Sequence, residues 1–312
     1  MRKILMSIVC LLCYLISIGQ EGIYSQPFQS GIFLNPALIG STDVTTRVGG
    51  VYRTHWKVED APYEDYGLFF ESKINTFKYG LVLNQSKTGD IGFKKTSVLL
   101  AAGLSKKLGA GNNYLSVGTQ FGLYQMKVDY VKLQFDNQYN SLFGYDSSLR
   151  TGEGFESTNL IQPDINIGLA LDFELKTKLK IDGQIGLSII HIKTPGRVFN
   201  KEAVILPMKT IFHTKAFIHV NDSWGFEPLF IFTQDVETEM KAGLNLGFKL
   251  KDNSRLKFGA ANDFRGLYCF LTQVEIDKFS FGLSIDANIS NTNNSISGYN
   301  TFELSIIYNI SN

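Results

Sequence analysis

The sequence predicts an all-β fold: an antiparallel transmembrane β-barrel of about 14 strands behind an N-terminal non-barrel segment. Three observations carry this. Apolar and polar residues alternate one by one along many segments. Those segments are longer than ordinary globular strands. The connections between them are short and long in turn. The clearest alternation runs from Ile161 to Leu175. Ile161, Pro163, Ile165, Ile167, Leu169, Leu171, Phe173 and Leu175 are apolar; Gln162, Asp164, Asn166, Gly168, Ala170, Asp172 and Glu174 between them are polar or small. A period of two gives a strand one greasy and one wet face. About 9–11 tilted residues cross a bilayer, so this run is long enough to span one.

The chain opens on Met1-Arg2-Lys3, followed by an apolar run from Ile4 to Ile18 and a small residue at Gly19. This pattern is that of a secretory signal peptide, residues 1–19, and the run is short for a membrane anchor. Val9 and Leu12 stand where a lipidation site needs small residues, so no lipid anchor is expected at Cys10 or Cys13. Residues 20–45 do not alternate and are too long for a simple tail; they are expected to plug the lumen or lie across the periplasmic mouth. The barrel is assigned to 46–312.

Strands are expected near 46–53, 63–74, 78–84, 94–107, 113–128, 161–175, 179–192, 208–220, 224–234, 239–251, 254–264, 267–276, 278–290 and 299–310. Every second connection is tight, as at Asn75-Thr76, Lys176–Lys178, Asn221–Ser223, Asp252-Asn253 and Asp277-Lys278. The five longest, near 54–62, 85–93, 129–160, 193–207 and 291–298, all fall in the other set. An outer-membrane barrel has this asymmetry, with short periplasmic turns and long outer loops. An even strand count then places both termini on the periplasmic side. A soluble sandwich also alternates, but it explains neither the strand length nor the loop asymmetry.

Composition narrows the function. Lys plus Arg is 30 and Asp plus Glu is 29, so no net field favours nucleic acid. Cys269 is the one cysteine beyond the signal peptide, which excludes an intramolecular disulfide and suits a small strand residue. His213, Lys215 and His219 share one strand face, but histidines at i and i+6 stand about 20 Å apart, too far for a metal. Asp235, Glu237 and Glu239 read as a solvated charged turn. No nucleophile elbow, phosphate loop or zinc helix is present. Scattered glycines, such as Gly118, Gly122, Gly168, Gly183 and Gly186, ease curvature or make room in the lumen. No enzymatic activity, cofactor or metal is implied.

Two stretches go beyond pattern. One is Tyr24-Ser25-Gln26-Pro27-Phe28, then Phe33-Leu34-Asn35-Pro36-Ala37-Leu38-Ile39-Gly40-Ser41, then Arg47, Tyr52-Arg53-Thr54-His55-Trp56 and Ala61-Pro62-Tyr63. The other is Phe281–Asp286, with Ser284 and Asp286, closing through Gly298 and Phe302–Tyr308. In this order they resemble the PorP/SprF family of outer-membrane proteins, which belongs to the type IX secretion and gliding machinery of the Bacteroidota. The resemblance covers nearly all the mature chain. His55 departs from it, standing where the family often has Gln, and so do residues 29–32. Asn35, Pro36, Gly40, Tyr52, Arg53, Trp56, Ser284 and Asp286 are the residues that match, with a structural or partner-binding role. Asn35 before Pro36 is expected to be extended, Gly40 to sit in a turn, and Tyr52 and Trp56 to join an interfacial aromatic belt.

The resemblance implies an outer-membrane location among lipid, and partners among the type IX components. It also implies capture or anchoring of the C-terminal domain of a large secreted adhesin. Loop 129–160 is the candidate contact surface. It carries Tyr130, Phe135, Tyr139, Phe143, Tyr145 and Phe155 among polar residues, a composition suited to a protein interface. Outer-membrane channels for fatty acids and hydrocarbons also have fourteen strands, an N-terminal hatch and an Asn-Pro-Ala motif, so such a transporter is the rival. A secreted lectin-like β-protein is a third class.

Overall fold

The computed structural model describes residues 23–41, 44–55, 63–89, 92–109, 111–129, 133–140, 144–152, 159–192, 197–199, 202–204, 206–251, 254–288 and 299–310. The signal-peptide stretch 1–19 lies outside the described residues.

The strands are β1 Thr46–His55, β2 Tyr63–Ile74, β3 Phe77–Thr88, β4 Phe93–Leu108, β5 Asn113–Lys127, β6 Tyr139–Asn140, β7 Gly144–Tyr145, β8 Asn159–Lys176 and β9 Lys180–Ile190. They continue as β10 Arg197–Phe199, β11 Glu202–Val204, β12 Lys209–His219, β13 Trp224–Gln234, β14 Thr238–Lys251, β15 Ser254–Asn262, β16 Leu267–Ile276, β17 Phe279–Asn288 and β18 Tyr299–Ile310. Fourteen of them close into an antiparallel barrel in chain order, and β18 returns to pair with β1 from Thr46↔Ile310 to His55↔Thr301. Closure leaves no edge, which a sheet surrounded by lipid requires. The pairs β6–β7 and β10–β11 are small separate hairpins inside the two longest connections.

The faces alternate as the sequence requires. On β8, Ile161, Ile165, Ile167 and Leu169 are exposed outward, while Gln162, Asp164 and Asn166 are buried within. Asp172 also points inward and accepts a hydrogen bond from Gln184 Nε2 at 2.7 Å. The same outward row continues around the wall in Leu68, Leu100, Phe121, Leu123, Leu244, Phe270, Phe281 and Ile306. Apolar exposure on this scale is a surface for lipid, not for water.

The two ends differ. Short turns gather at one end, called the turn end here, at 75–76, 109–112, 177–179, 220–223 and 277–278. Asn75 and Asp277 take positive φ in two of them, +55° and +51°, a conformation these short polar side chains tolerate. The long connections gather at the other, loop end. β3 runs to Thr88, four residues past its expected end at 84. Gln85, Ser86, Lys87 and Thr88 lack the apolar alternation, yet their backbones stay paired to β2 and β4. The ladder outlasts the lipid band.

Residues 23–41 lie inside the barrel. Their backbone turns twice through short 3-10 helices, Gly31–Phe33 and Pro36–Leu38. Two apolar clusters hold them. Ile32 and Ile39 pack with Phe69, Val82, Leu99, Ala101 and Ile307. Leu34, Ala37 and Leu38 pack with Ala170, Ile211 and Ile231. These apolar residues sit on the wet face of their strands because the segment covers them.

Candidate functional site: the lumenal seat of the N-terminal segment

Among the described residues, three clusters of polar contacts anchor the segment to the wall, with single hydrogen bonds between them, such as those from Gln120 Nε2 to the Ile32 carbonyl and from Ser188 Oγ to the Leu34 carbonyl. The first lies between β1, β17 and β18. Antiparallel pairing sets Ser284 opposite Glu303 and Arg53 opposite Glu303, with Asp286 one step along. All four side chains point inward and are buried. Arg53 lies 3.7 Å from Asp286 and 3.9 Å from Glu303, and it also donates to the Ile23 carbonyl. Two carboxylates around one guanidinium leave negative charge over, and the segment supplies donors for it. Ser25 N and Gln26 N donate to Glu303 at 2.5 and 2.9 Å, and Ser25 Oγ donates to Asp286 at 2.6 Å. Cys269 lies beside this contact, its Sγ 3.8 Å from the Ser25 carbonyl.

The second contact is nearer the turn end. Arg47 pairs with Glu71 at 2.7 Å and donates to the Gln29 carbonyl at 2.5 Å. Glu71 accepts from Gly40 N at 3.1 Å. Gly40 has φ +52°, so it reverses the chain where most residues would be strained.

The third is built on Asn35, which is fully buried and extended, as its position before Pro36 requires. Its Oδ1 accepts from Ala37 N at 2.8 Å, capping the Pro36–Leu38 turn. Its Nδ2 faces the carbonyls of Leu169 at 3.0 Å and Leu187 at 3.3 Å, and His213 Nε2 at 3.0 Å. Glycines make the approach possible. A Cβ at Gly168 would fall 1.9 Å from Asn35 Oδ1, and one at Gly118 would fall 2.2 Å from the Pro36 carbonyl oxygen.

Of the residues singled out in the sequence, Asn35, Pro36, Gly40, Arg53, Ser284 and Asp286 therefore meet at the lumenal seat. Tyr52 does not. It points outward, its ring 5.2 Å from that of Tyr66, and Trp56 lies outside the described residues. In loop 129–160, Tyr139 and Tyr145 pack against each other across the β6–β7 hairpin, 5.6 Å between ring centres, and remain exposed. Phe135 precedes the short turn Asp136–Gln138 that opens the hairpin. Tyr130, Phe143 and Phe155 lie outside the described residues. Sequence reasoning missed Glu71 and Glu303 as partners, and His213 as the neighbour of Asn35. Their inward parity was readable; the segment they would face was not. His219 pairs separately with Asp182 at 2.7 Å. Arg265 answers Glu237 and Glu239, at 3.4 and 2.5 Å. Among the described residues, no group of three or more His, Cys, Asp or Glu side chains is placed to hold a metal.

Below the segment, at the turn end, a cavity of about 880 Å3 opens, with Lys78, Asp172, Lys215, Glu227 and Lys257 on its wall. Lys215 lies over the Phe28 ring at 5.0 Å.

A closed, even-stranded barrel with an apolar outer wall, a polar interior and a chain segment folded into its lumen is an outer-membrane protein. The chain belongs to the PorP/SprF family of type IX secretion system membrane proteins, whose family model matches residues 16–308. Solved barrels resemble it in fold. The toluene transporter TbuX of Ralstonia pickettii aligns with a TM-score of 0.52 at 9% identity, covering 90% of this chain and 93% of that one. A FadL homologue of Pseudomonas aeruginosa gives 0.51 at 12% identity, covering 90% and 94%. No curated protein sequence matches the chain.

Proposed function

We propose that this protein is a non-enzymatic component of the type IX secretion and gliding machinery that captures or anchors the C-terminal domain of a large secreted adhesin at the cell surface. In this reading a signal peptide of residues 1–19 is removed, the turn end and the C-terminus face the periplasm, and the loop end faces outward. Strand parity fixes only where β1 starts. Ile23 itself lies beside Arg53, well up the lumen. Family membership across 16–308 carries the reading. The occupied lumen does not separate this reading from its rival, since hydrocarbon channels also carry an N-terminal hatch. The exposed Tyr139–Tyr145 pair supports loop 129–160 as the contact surface, because aromatic side chains concentrate at the centres of interfaces.

Affinity purification of the protein from the outer membrane tests this. It is expected to bring down a large secreted protein with a type IX sorting domain, together with other type IX components. Replacing residues 135–150 by a short Gly/Ser linker is expected to abolish that association while leaving the barrel heat-modifiable on gels. Undiminished adhesin display in that variant removes the loop from the reading. The rival, a channel for hydrophobic small molecules, fits less well with a lumen wall of Gln120, Gln162, Asp164, Asn166, Asp286 and Glu303, all buried. Uptake of labelled toluene that depends on this protein would reverse the choice.

A further inference from the structure

The lipid-facing wall is uncharged almost everywhere. Across β2 to β5, the outward positions carry only Glu64, Lys87, Lys94, Lys106 and Lys127 as charged side chains. Four of these are direct neighbours. Pairing sets Glu64 opposite Lys87, Lys87 opposite Lys94, and Lys94 opposite Lys127, so one row crosses β2, β3, β4 and β5 at the loop end. Adjacent strands are about 4.8 Å apart, which puts the three lysines within about 10 Å of one another along the wall. Like charges directly opposite on a sheet repel. Of the three lysines Glu64 answers Lys87, at 3.5 Å, while its other oxygen accepts from the Tyr52 hydroxyl at 3.2 Å, and among the described residues Lys94 and Lys127 have no carboxylate within ion-pair distance. The rows beneath are graded. Tyr66, Gln85, Thr96 and Gln125 come next, and then Leu68, Leu83, Val98 and Leu123. The surface thus passes within a few residues from hydrocarbon-facing, through hydrogen-bonding, to strongly cationic.

We infer that Lys87, Lys94 and Lys127 form a binding site for the phosphate groups of a phosphorylated glycolipid in the outer leaflet. Its acyl chains lie along Leu83, Val98 and Leu123, and its sugar hydroxyls meet Gln85, Thr96 and Gln125. The site sits on the outside of the barrel, so it stands whatever the lumen and the loops do. It requires only that the loop end face outward.

The test uses the full barrel purified in mild detergent. Native mass spectrometry is run with a diphosphorylated glycolipid, the same glycolipid after phosphatase treatment, and inorganic phosphate. Wild type is expected to retain the phosphorylated form and to bind the dephosphorylated form weakly. Lys94→Gln is expected to weaken binding about fivefold, and K87Q/K94Q/K127Q by about fivefold for each lysine removed, since one basic residue near an anionic lipid surface is worth roughly that factor. K106Q, at the turn end, is expected to change nothing. Heat-modifiable migration of each variant shows that the barrel has assembled. Equal retention by the triple variant overturns the site. Equal binding of the dephosphorylated lipid does so too, as does displacement by millimolar inorganic phosphate.

Discussion

Asn35 shows how one side chain serves two strands and a turn at once. Its carbonyl oxygen caps Ala37 N while its amide donates towards the carbonyls of Leu169 and Leu187. Asn35→Ala removes these bonds and leaves the buried Ala37 N–H without its acceptor, a cost of about 1–3 kcal/mol. Asn35→Asp is expected to be worse, because it sets a carboxylate oxygen against those carbonyls and buries a charge. Limited proteolysis reads the order: cleavage within 23–41 should rise from wild type to Ala to Asp, with the barrel core intact. Equal cleavage of Ala and Asp variants would show that the amide is not a donor there. Arg53 poses a sharper case. Removing one member of a buried ion pair costs about 3–5 kcal/mol, because the rest is left uncompensated. Arg53→Gln strands Asp286 and Glu303 together. Hydrogen exchange at the Ser25 and Gln26 amides, which donate to Glu303, is then expected to quicken by about 100-fold or more. An unchanged rate would mean that the apolar clusters alone hold the segment.

At the scale of elements, the strands were legible and the seat was only half so. The run at 161–175 announced its two faces because lipid and lumen impose opposite chemistry on alternate residues. The end of β3 hid its pairing, because Gln85–Thr88 stand above the lipid band where no such contrast is imposed. The hairpins β6–β7 and β10–β11 carry too few residues to show a period. The N-terminal segment was readable as something other than a strand. Its contacts with β1, β5, β8, β9 and β18 were not, since they join residues up to 278 positions apart. Among the scattered glycines, Gly118 and Gly168 now have a cause. At Gly118 a Cβ would meet Pro36 backbone at 2.2 and 2.4 Å, and backbone in a packed turn has little room to yield. Gly118→Ala is expected to expel the Pro36–Leu38 turn while β5 keeps its ladder. A cysteine placed at Ala37 should be inert to maleimide in the parent and reactive with Gly118→Ala. Inert thiols in both would mean that the turn shifts within the lumen without leaving it.

For the whole molecule, the barrel and the segment inside it stand on different physics. The wall is a closed hydrogen-bond ladder in a solvent that offers no substitute partners, so its integrity depends on every strand. The segment contributes no strand. It adds buried apolar area and three polar anchors, but every backbone pair of the barrel is complete without it. Removing 23–41 should therefore leave a barrel that assembles, migrates in a heat-modifiable way and conducts ions in a planar bilayer far better than the full chain. It should be less stable, since Phe69, Val82, Ile211, Ile231 and Ile307 lose their cover. Removing β18 should do the opposite. It takes only the Ser305 hydrogen bond to Gln29 from the second anchor and nothing from the third, yet it strips one partner strand from each of β1 and β17 and opens two edges to lipid. That variant is expected not to assemble at all. If the 23–41 deletion also failed to assemble, the segment would be part of the folding nucleus of the wall. If it assembled but stayed as closed as the full chain, another part of the chain would be shutting the lumen, and the segment's seat would have some purpose other than occlusion.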